Sequence, residues 1–300
     1  MRKVIFGLRP ADAITIIFLL FLSGLTILFY ENIPRASILI TIYVLLICLQ
    51  IITIKFKNNS SFLDFFHNVI FPTICVLAIF DSLGNLVHYI NPKDVDSTLI
   101  MLDYLIFQGY PTIMLEKIMS PLLTDILQLA YSTYYFIPLV FGVALLLDSQ
   151  RKEFDKTLFL ILLCFYLSYL GYILIPAIGP RFTINHLQAN ELQGLFIAGP
   201  IQKLLDRLEG IKRDAFPSGH TAIALVVLYL AYRFKRKLFR IFSPVVLALI
   251  FSTVYCRYHY VVDVIGGFGL AVLSILLGEA IYDRWLEEQQ RSRSFHILDE

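Results

Sequence analysis

Apolar runs of membrane-spanning length recur along the whole chain, separated by short polar connections. Eight of them predict helices, over residues 12–30, 36–54, 68–90, 122–147, 157–176, 217–234, 240–256 and 262–282, because ~20 apolar residues are needed to cross a hydrocarbon layer ~30 Å thick. Only helices and closed barrels satisfy the backbone at that depth, and no strand pattern suits a lipid-facing role here. The fold class is therefore all-α, a polytopic membrane bundle. Two more stretches read as helices lying on the bilayer surface, 98–119 and 200–213. In the second, Ile201, Leu204, Leu205, Leu208 and Ile211 share one face opposite Lys203, Asp206, Arg207 and Lys212. The first two spans carry almost no buried polar residue, which divides the chain into an accessory pair (1–66), a six-helix core (67–283) and a tail (284–300).

Composition narrows the class. Of 300 residues, 58% are hydrophobic and 16% charged, as expected of a membrane chain. The first apolar run follows a basic N-terminus but precedes no small-residue cleavage site, so it reads as a retained span rather than a signal peptide. Cys48, Cys75, Cys164 and Cys256 stand singly, which predicts neither disulfides nor a zinc site. A net charge of +2 does not suggest nucleic acid. The basic residues instead mark topology: Arg2, Lys3 and Arg9, then Lys55 and Lys57, then Arg151, Lys152 and Lys156, then the group from Arg233 to Arg240 fall in alternate connections. The positive-inside rule puts these, and both termini, in the cytoplasm. The acidic stretch with Asp94, Asp96 and Asp103, the segment from Ala177 to Phe216 and the stretch from Cys256 to Asp263 then lie outside, on the external or periplasmic face of the plasma or inner membrane in a prokaryote, or on a lumenal side otherwise.

Three polar clusters reach that outer face: "IPAIGPRF" (175–182), "FPSGHT" (216–221) and "STVYCRYHYVVDVIGG" (252–267). Ionisable residues at membrane depth suggest function, since an unpaired charge there is costly. Pro217 suits the first turn of a helix, which leaves the amides of Ser218, Gly219 and His220 as donors at the positive end of the helix dipole, an anion site. Gly219 allows close approach to the backbone. His259 and Asp263, four apart, share a helix face, so the carboxylate can hold one ring nitrogen and free the other. Arg181 and Arg257 offer guanidinium forks matched to phosphate oxygens. Taken singly, each has a plainer reading. The SGH group is a helix cap, the His–Asp pair a structural hydrogen bond or part of a proton path, and the arginines are interfacial anchors. Taken together, they read as an oxyanion site with acid, base and nucleophile.

These residues resemble the type 2 phosphatidic acid phosphatase superfamily of membrane lipid phosphatases and phosphotransferases, which includes sphingomyelin and inositol phosphorylceramide synthases. "PSGH" is similar to that family's second motif and "HYVVD" to the end of its third, and six spans from 68 to 282 place them as the family does. The resemblance implies His259 as nucleophile, Asp263 as its orienting partner and His220 as general acid. Two departures stand out. The family's usual first-motif lysine is replaced by Leu174, ahead of Gly179-Pro180-Arg181-Phe182. The third motif begins Ser252-Thr253 instead of Ser-Arg, with an arginine at Arg257, as in the inositol phosphorylceramide synthase branch.

The reaction implied is attack by His259 on the phosphorus of a lipid phosphoester, protonation of the leaving oxygen by His220, and resolution of a phosphohistidine by water or a lipid alcohol. Arg181, Arg257, the Ser218 hydroxyl and the Gly219 amide would hold the phosphate, with no metal or other cofactor called for. The partners expected are a phospholipid donor and an alcohol or water acceptor. Asp81, Asn85 and His88, at i, i+4 and i+7, are candidates to read the headgroup or acceptor, or else a polar seam between helices. His67 and His296 read as interfacial or solvated, and His186 as a weak candidate in the long loop. Rival readings are a phospholipid-binding or transport protein without turnover, and a vanadate haloperoxidase, which shares these motifs but not the many spans.

Overall fold

The structure, a computed structural model, describes residues 8–208 and 213–298 and is helical throughout, with no strand among the described residues. Its main helices are α1 (Pro10–Leu28), α2 (Ala36–Phe56), α3 (Ser61–Leu83), α4 (Asp96–Phe107), α5 (Pro121–Ser132), α6 (Ile137–Leu147), α7 (Arg151–Leu174), α8 (Ala198–Leu208), α9 (Gly219–Phe234), α10 (Arg236–Tyr255) and α11 (Val261–Leu298). Six helices are long and apolar enough to cross a membrane alone: α1, α2 with the turn after it, α3, α7, α10 and α11. Two bent pairs bring the number to eight, α5 with α6 at 51° and α4 with Pro111–Ile118 at 58°. The expected span 122–147 is thus broken, and α9 has only 16 residues. The sequence marks the break between α5 and α6 with Pro138, which sits in the first turn of α6, where a missing N–H is harmless.

Three of the expected stretches take definite form here. The stretch 98–119 holds a bent helix pair. The chain from residue 284 continues α11, which runs as one helix of 38 residues. Of the stretch 200–213, α8 covers the beginning, while residues 209–212 lie outside those described.

The first two spans are also less plain than their composition suggests. Asp12, Thr15, Thr26 and Gln50 are buried in them. Asp12 anchors a polar network that ties α1 to the rest: Arg9 donates to Asp12 (2.9 Å), Asn68 (2.5 Å) and Asp155 (3.2 Å), and Gln50 donates to Asp12 (3.1 Å). His67, expected to be interfacial or solvated, is fully buried in this network, 3.5 Å from Asp12 and 3.1 Å from the Thr53 hydroxyl. A polar group in an apolar bundle needs partners, and these helices supply them to one another.

The same end of the bundle carries the ion pairs that fasten the later helices. Arg233 of α9 meets Glu279 of α11 at 2.7 Å, Lys156 of α7 meets Glu279 as well, and Lys235 meets Asp148. At the other end α9 and α11 begin side by side. Gly267 permits this, because a Cβ on it would come 2.5 Å from the Ser218 carbonyl and 2.9 Å from Thr221 Cβ. Gly269, on the same helix, has open space around it. Gly267→Val should therefore lower stability by about 1–3 kcal/mol through overpacking and reduce activity, while Gly269→Val should leave both near wild type; thermal unfolding in detergent and turnover measured side by side check this.

Candidate active site

The start of α9 is built by its own cap. Ser218 is the N-cap residue, and its hydroxyl accepts from the Thr221 amide at 3.3 Å, satisfying one of the orphan donors of the first turn. Its own amide donates to the Asp263 carbonyl at 3.0 Å. The helix thus starts two residues later than the expected Pro217 start, with Gly219 and His220 in its first turn. The Tyr172 hydroxyl lies directly against Gly219, where any side chain would collide with it.

Backbone bonds stitch the three polar clusters into one unit. The Ala215 amide donates to the Ala177 carbonyl at 3.0 Å, joining the segment before α9 to the segment after α7. The amides of Tyr258 and His259 both donate to the Thr253 carbonyl, at 2.9 and 3.0 Å, which folds the chain back after α10. Gly179, at φ +96°, passes so close to that fold that a Cβ would lie 2.7 Å from the Tyr258 carbonyl. Both the left-handed backbone and the close approach require glycine there.

The two histidines, from two of the polar clusters expected on one face, come together. His259 Nδ1 is 2.8 Å from the Ala215 carbonyl, so Nδ1 carries the proton and donates, and Nε2 keeps its lone pair. That Nε2 faces His220 Nδ1 at 3.5 Å. Asp263 lies 3.4 Å from His259 Nδ1, farther than the carbonyl. One of its oxygens accepts from the Tyr260 amide at 2.8 Å, and the other is buried without a hydrogen-bond partner. Asp263 and the Ala215 carbonyl therefore both face Nδ1, with the carbonyl the nearer. His220 is held between rings, with Tyr131 at 4.4 Å and Tyr134 at 4.1 Å between centroids, and its Nε2 is buried without a partner. Tyr258 stacks on the far side of Tyr131 at 4.1 Å, and the Arg181 guanidinium sits 5.8 Å from the Tyr258 ring, so a column of rings connects Arg181 to His220.

The remaining candidates separate from this group. Arg257 is buried, at φ +64°, and its terminal nitrogens are engaged by Glu116 (2.8 Å), Gln188 (2.9 Å) and the Asn190 carbonyl (2.6 Å). Both terminal nitrogens of the fork expected on a phosphate make contacts within the protein, and they pin the long loop to the turn before His259. Asp81 and His88 are exposed and Asn85 half-buried, because α3 ends at Leu83 and a turn at 84–86 breaks the helix that would have aligned them. His186 is exposed on the long loop, and the side chain of His296 lies outside those described.

Four acids that the sequence reading left without a role prove central. Asp96 accepts from the Ile178 and Gly179 amides at 2.9 and 2.8 Å and from the Tyr260 hydroxyl at 2.9 Å, clamping the Arg181 segment to the His259 segment. Asp103 accepts from the Val261 and Val262 amides at 3.0 and 2.9 Å, capping α11 from a different helix. Asp94 takes a two-pronged contact from Arg213, at 2.6 and 3.0 Å, beside the start of the α9 loop. Asp214 is half-buried on the His220 side, where burial pushes its carboxyl up to about 6 while the facing His259 opposes part of the shift. A usable signal was Asp103 itself, an acid inside the apolar run "STLIMLDYLIF".

The Arg257–Glu116 pair is buried on both sides, with 7% and 8% of the side chains exposed. Arg257→Gln should therefore cost about 3–5 kcal/mol by stranding a buried carboxylate, and adding Glu116→Gln should restore most of it; unfolding of the two single variants and the double variant checks the coupling. A single variant that kept its stability and lost only turnover would return Arg257 to the phosphate.

The chain matches the family model described as the PAP2 superfamily over residues 112–277, which takes in Arg181, both histidines and Asp263. It is similar to a PA-phosphatase related-family protein of Dictyostelium discoideum, 24% identical over 183 residues, covering 54% of this chain and 33% of that protein. It is also similar to the phosphoinositol dihydroceramide synthase of Bacteroides thetaiotaomicron, 26% identical over 162 residues, covering 50% of this chain and 53% of that protein. The matches thus span about a third and about half of these relatives' lengths. No solved structure matches the chain. With more than half its length inside the family model, the chain belongs to the PAP2 superfamily.

Proposed function

We propose that the protein transfers a phospho-headgroup from a membrane phospholipid to a lipid alcohol through a phosphohistidine on His259. The observation that carries this is the pairing of nitrogens: Nδ1–H of His259 is committed to the Ala215 carbonyl, which leaves the Nε2 lone pair facing His220. A nucleophile beside its acid–base partner, oriented by a third group, is the arrangement covalent catalysis needs. Nε2 attacks phosphorus, His220 protonates the departing lipid oxygen, and His220 then takes the proton of the incoming alcohol as that oxygen attacks the phosphohistidine. The 3.5 Å contact between the rings must widen to admit the phosphorus, and His220 is gripped by ring faces rather than hydrogen bonds, which makes such a slide inexpensive. Arg181 is assigned to the phosphate oxygens, together with the Gly219 and His220 amides at the positive end of α9. The Ser218 hydroxyl serves the cap, and Arg257 serves the loop.

The acceptor is read as a lipid alcohol because His220 and Asp214 form one end of an apolar groove lined by α3, α6 and α7. The relative named as a phosphoinositol dihydroceramide synthase favours a transferase, and the one named as PA-phosphatase related marks water as the competing acceptor. With the loop charges read as above, the site faces the periplasm or cell exterior and both termini the cytoplasm.

Asp214 adds a pH signature. A carboxyl raised above the ordinary range is neutral below about pH 6 and ionised above it, so its ionisation opposes folding as pH rises through that window. A group that costs stability beside a catalytic histidine fits a functional role: as an anion it steadies the cation that forms on the histidines.

Two outcomes are expected. In nanodiscs supplied with phospholipid and ceramide or diacylglycerol, the wild type should form a new phospholipid, with an acid-labile phosphoenzyme intermediate. His259→Ala should lose at least about 10³-fold of the turnover together with the phosphoenzyme, and His220→Ala should slow both half-reactions. Free phosphate in place of new phospholipid would make the protein a phosphatase, and normal turnover by His259→Ala would overturn the assignment. Second, kcat/KM should rise with pH through about 6 in the wild type, and Asp214→Asn should flatten that limb; a pH–rate profile of the two proteins decides it.

A further inference from the structure

The groove beside His220 extends much farther than the chemistry needs. Its wall on α7 recurs at Phe154, Leu158, Ile161, Phe165, Tyr169 and Tyr172, one helical face 18 residues long. At 1.5 Å per residue that is ~27 Å, whereas half a hydrocarbon layer is ~15 Å. The upper end is polar, with Asp214 and the tyrosines around His220. The lower end is closed. Phe154 packs on Gly142, where a Cβ would already touch its ring at 3.4 Å. Beside it lie Asn68, held by Arg9 and Asp64, and the buried Thr157 hydroxyl, which has no hydrogen-bond partner. The side is open to the bilayer, since Leu77 lines the groove and is half exposed.

We infer that this groove is a binding subsite for one long hydrocarbon chain of the lipid alcohol, held straight from His220 past the bilayer midplane to the floor at Phe154 and Gly142. The inference rests on the lipid-transfer reading for the identity of the head, and on the shape of the groove for the chain. A chain leaving bilayer hydrocarbon gains nothing from burial alone, because lipid is as apolar as the groove. What the groove adds is a fixed line and a fixed end, so it selects by length and straightness: a chain that ends early leaves a void, and one that is too long meets the polar floor. A lipid alcohol slides in sideways past Leu77 with its uncharged hydroxyl leading toward Asp214, which avoids drawing a charge through the bilayer.

The test uses long-chain alcohols bearing a photoreactive diazirine either near the hydroxyl or near the chain end, bound to the full protein in nanodiscs without donor lipid, so that no turnover occurs. The head-proximal label should attach at Tyr134 or Tyr172 and the distal label at Phe154 or Leu158. Gly142→Leu, which drives Phe154 into the groove, should lose the distal attachment and keep the proximal one; Leu158→Trp serves the same purpose should the first variant fail to fold. Distal label on outward-facing residues such as Leu45 or Leu247, or a distal pattern unchanged by both variants, overturns the subsite. The expected pattern in a protein that transfers no headgroup would keep the subsite and overturn the transferase reading, whereas transfer without the pattern would do the reverse.

Discussion

Two helices, α9 and α11, begin at the same place inside an apolar bundle, and the amides of their first turns have no partners within their own helices. Everything around the site answers that constraint. Ser218 and Asp103 each take amides, one from its own helix and one from another, while the Asp263 carbonyl takes the Ser218 amide and ties the two helix starts together. Gly267 allows the approach that makes this possible. What remains is the positive ends of two adjacent dipoles beside His220 and His259, which is where the proposed reaction puts the phosphate.

The clamp made by the acids of α4 explains how the site holds its shape without the family's usual lysine. Leu174 stands at that position and is 61% exposed, pointing away from the bundle. The segment after it is held by Asp96 through two amides, and the same carboxylate reaches Tyr260 on the other side. One carboxylate thus ties the Arg181 segment directly to the His259 segment, and the Thr183 hydroxyl adds a second link to Tyr260. A buried carboxylate with three donors is well solvated by the protein, so it stays where a free one would not.

The parts of this structure legible in the sequence were those written in local pattern. Hydropathy located the apolar spans, and Asp263 does lie near His259, although His259 stands two residues ahead of α11 and not on its face as the i, i+4 spacing predicts. The histidine pair was legible because helix polarity puts the starts of alternate spans on one face. What escaped was everything set by packing between distant segments. Nothing near Arg257 in sequence announces its contact with Glu116, 141 residues away. Asp81, Asn85 and His88 aligned only on a helix that the turn at 84–86 interrupts. The first two spans seemed featureless, yet Asp12 and Gln50 meet there and draw in His67.

The shortness of α9 carries a further meaning. Its 16 residues rise ~24 Å, less than the ~30 Å of hydrocarbon that α7 and α11 can cross in full. With Arg233 at one interface, the rise back to His220 is ~20 Å, which leaves His220 roughly 10 Å beneath the other. The depth of the proposed reaction is thus measured out by the length of one helix. On that proposal a phosphoester dips below the headgroup layer to reach the histidines, and a soluble phosphate ester, with no tail to carry it down, would be left at the surface.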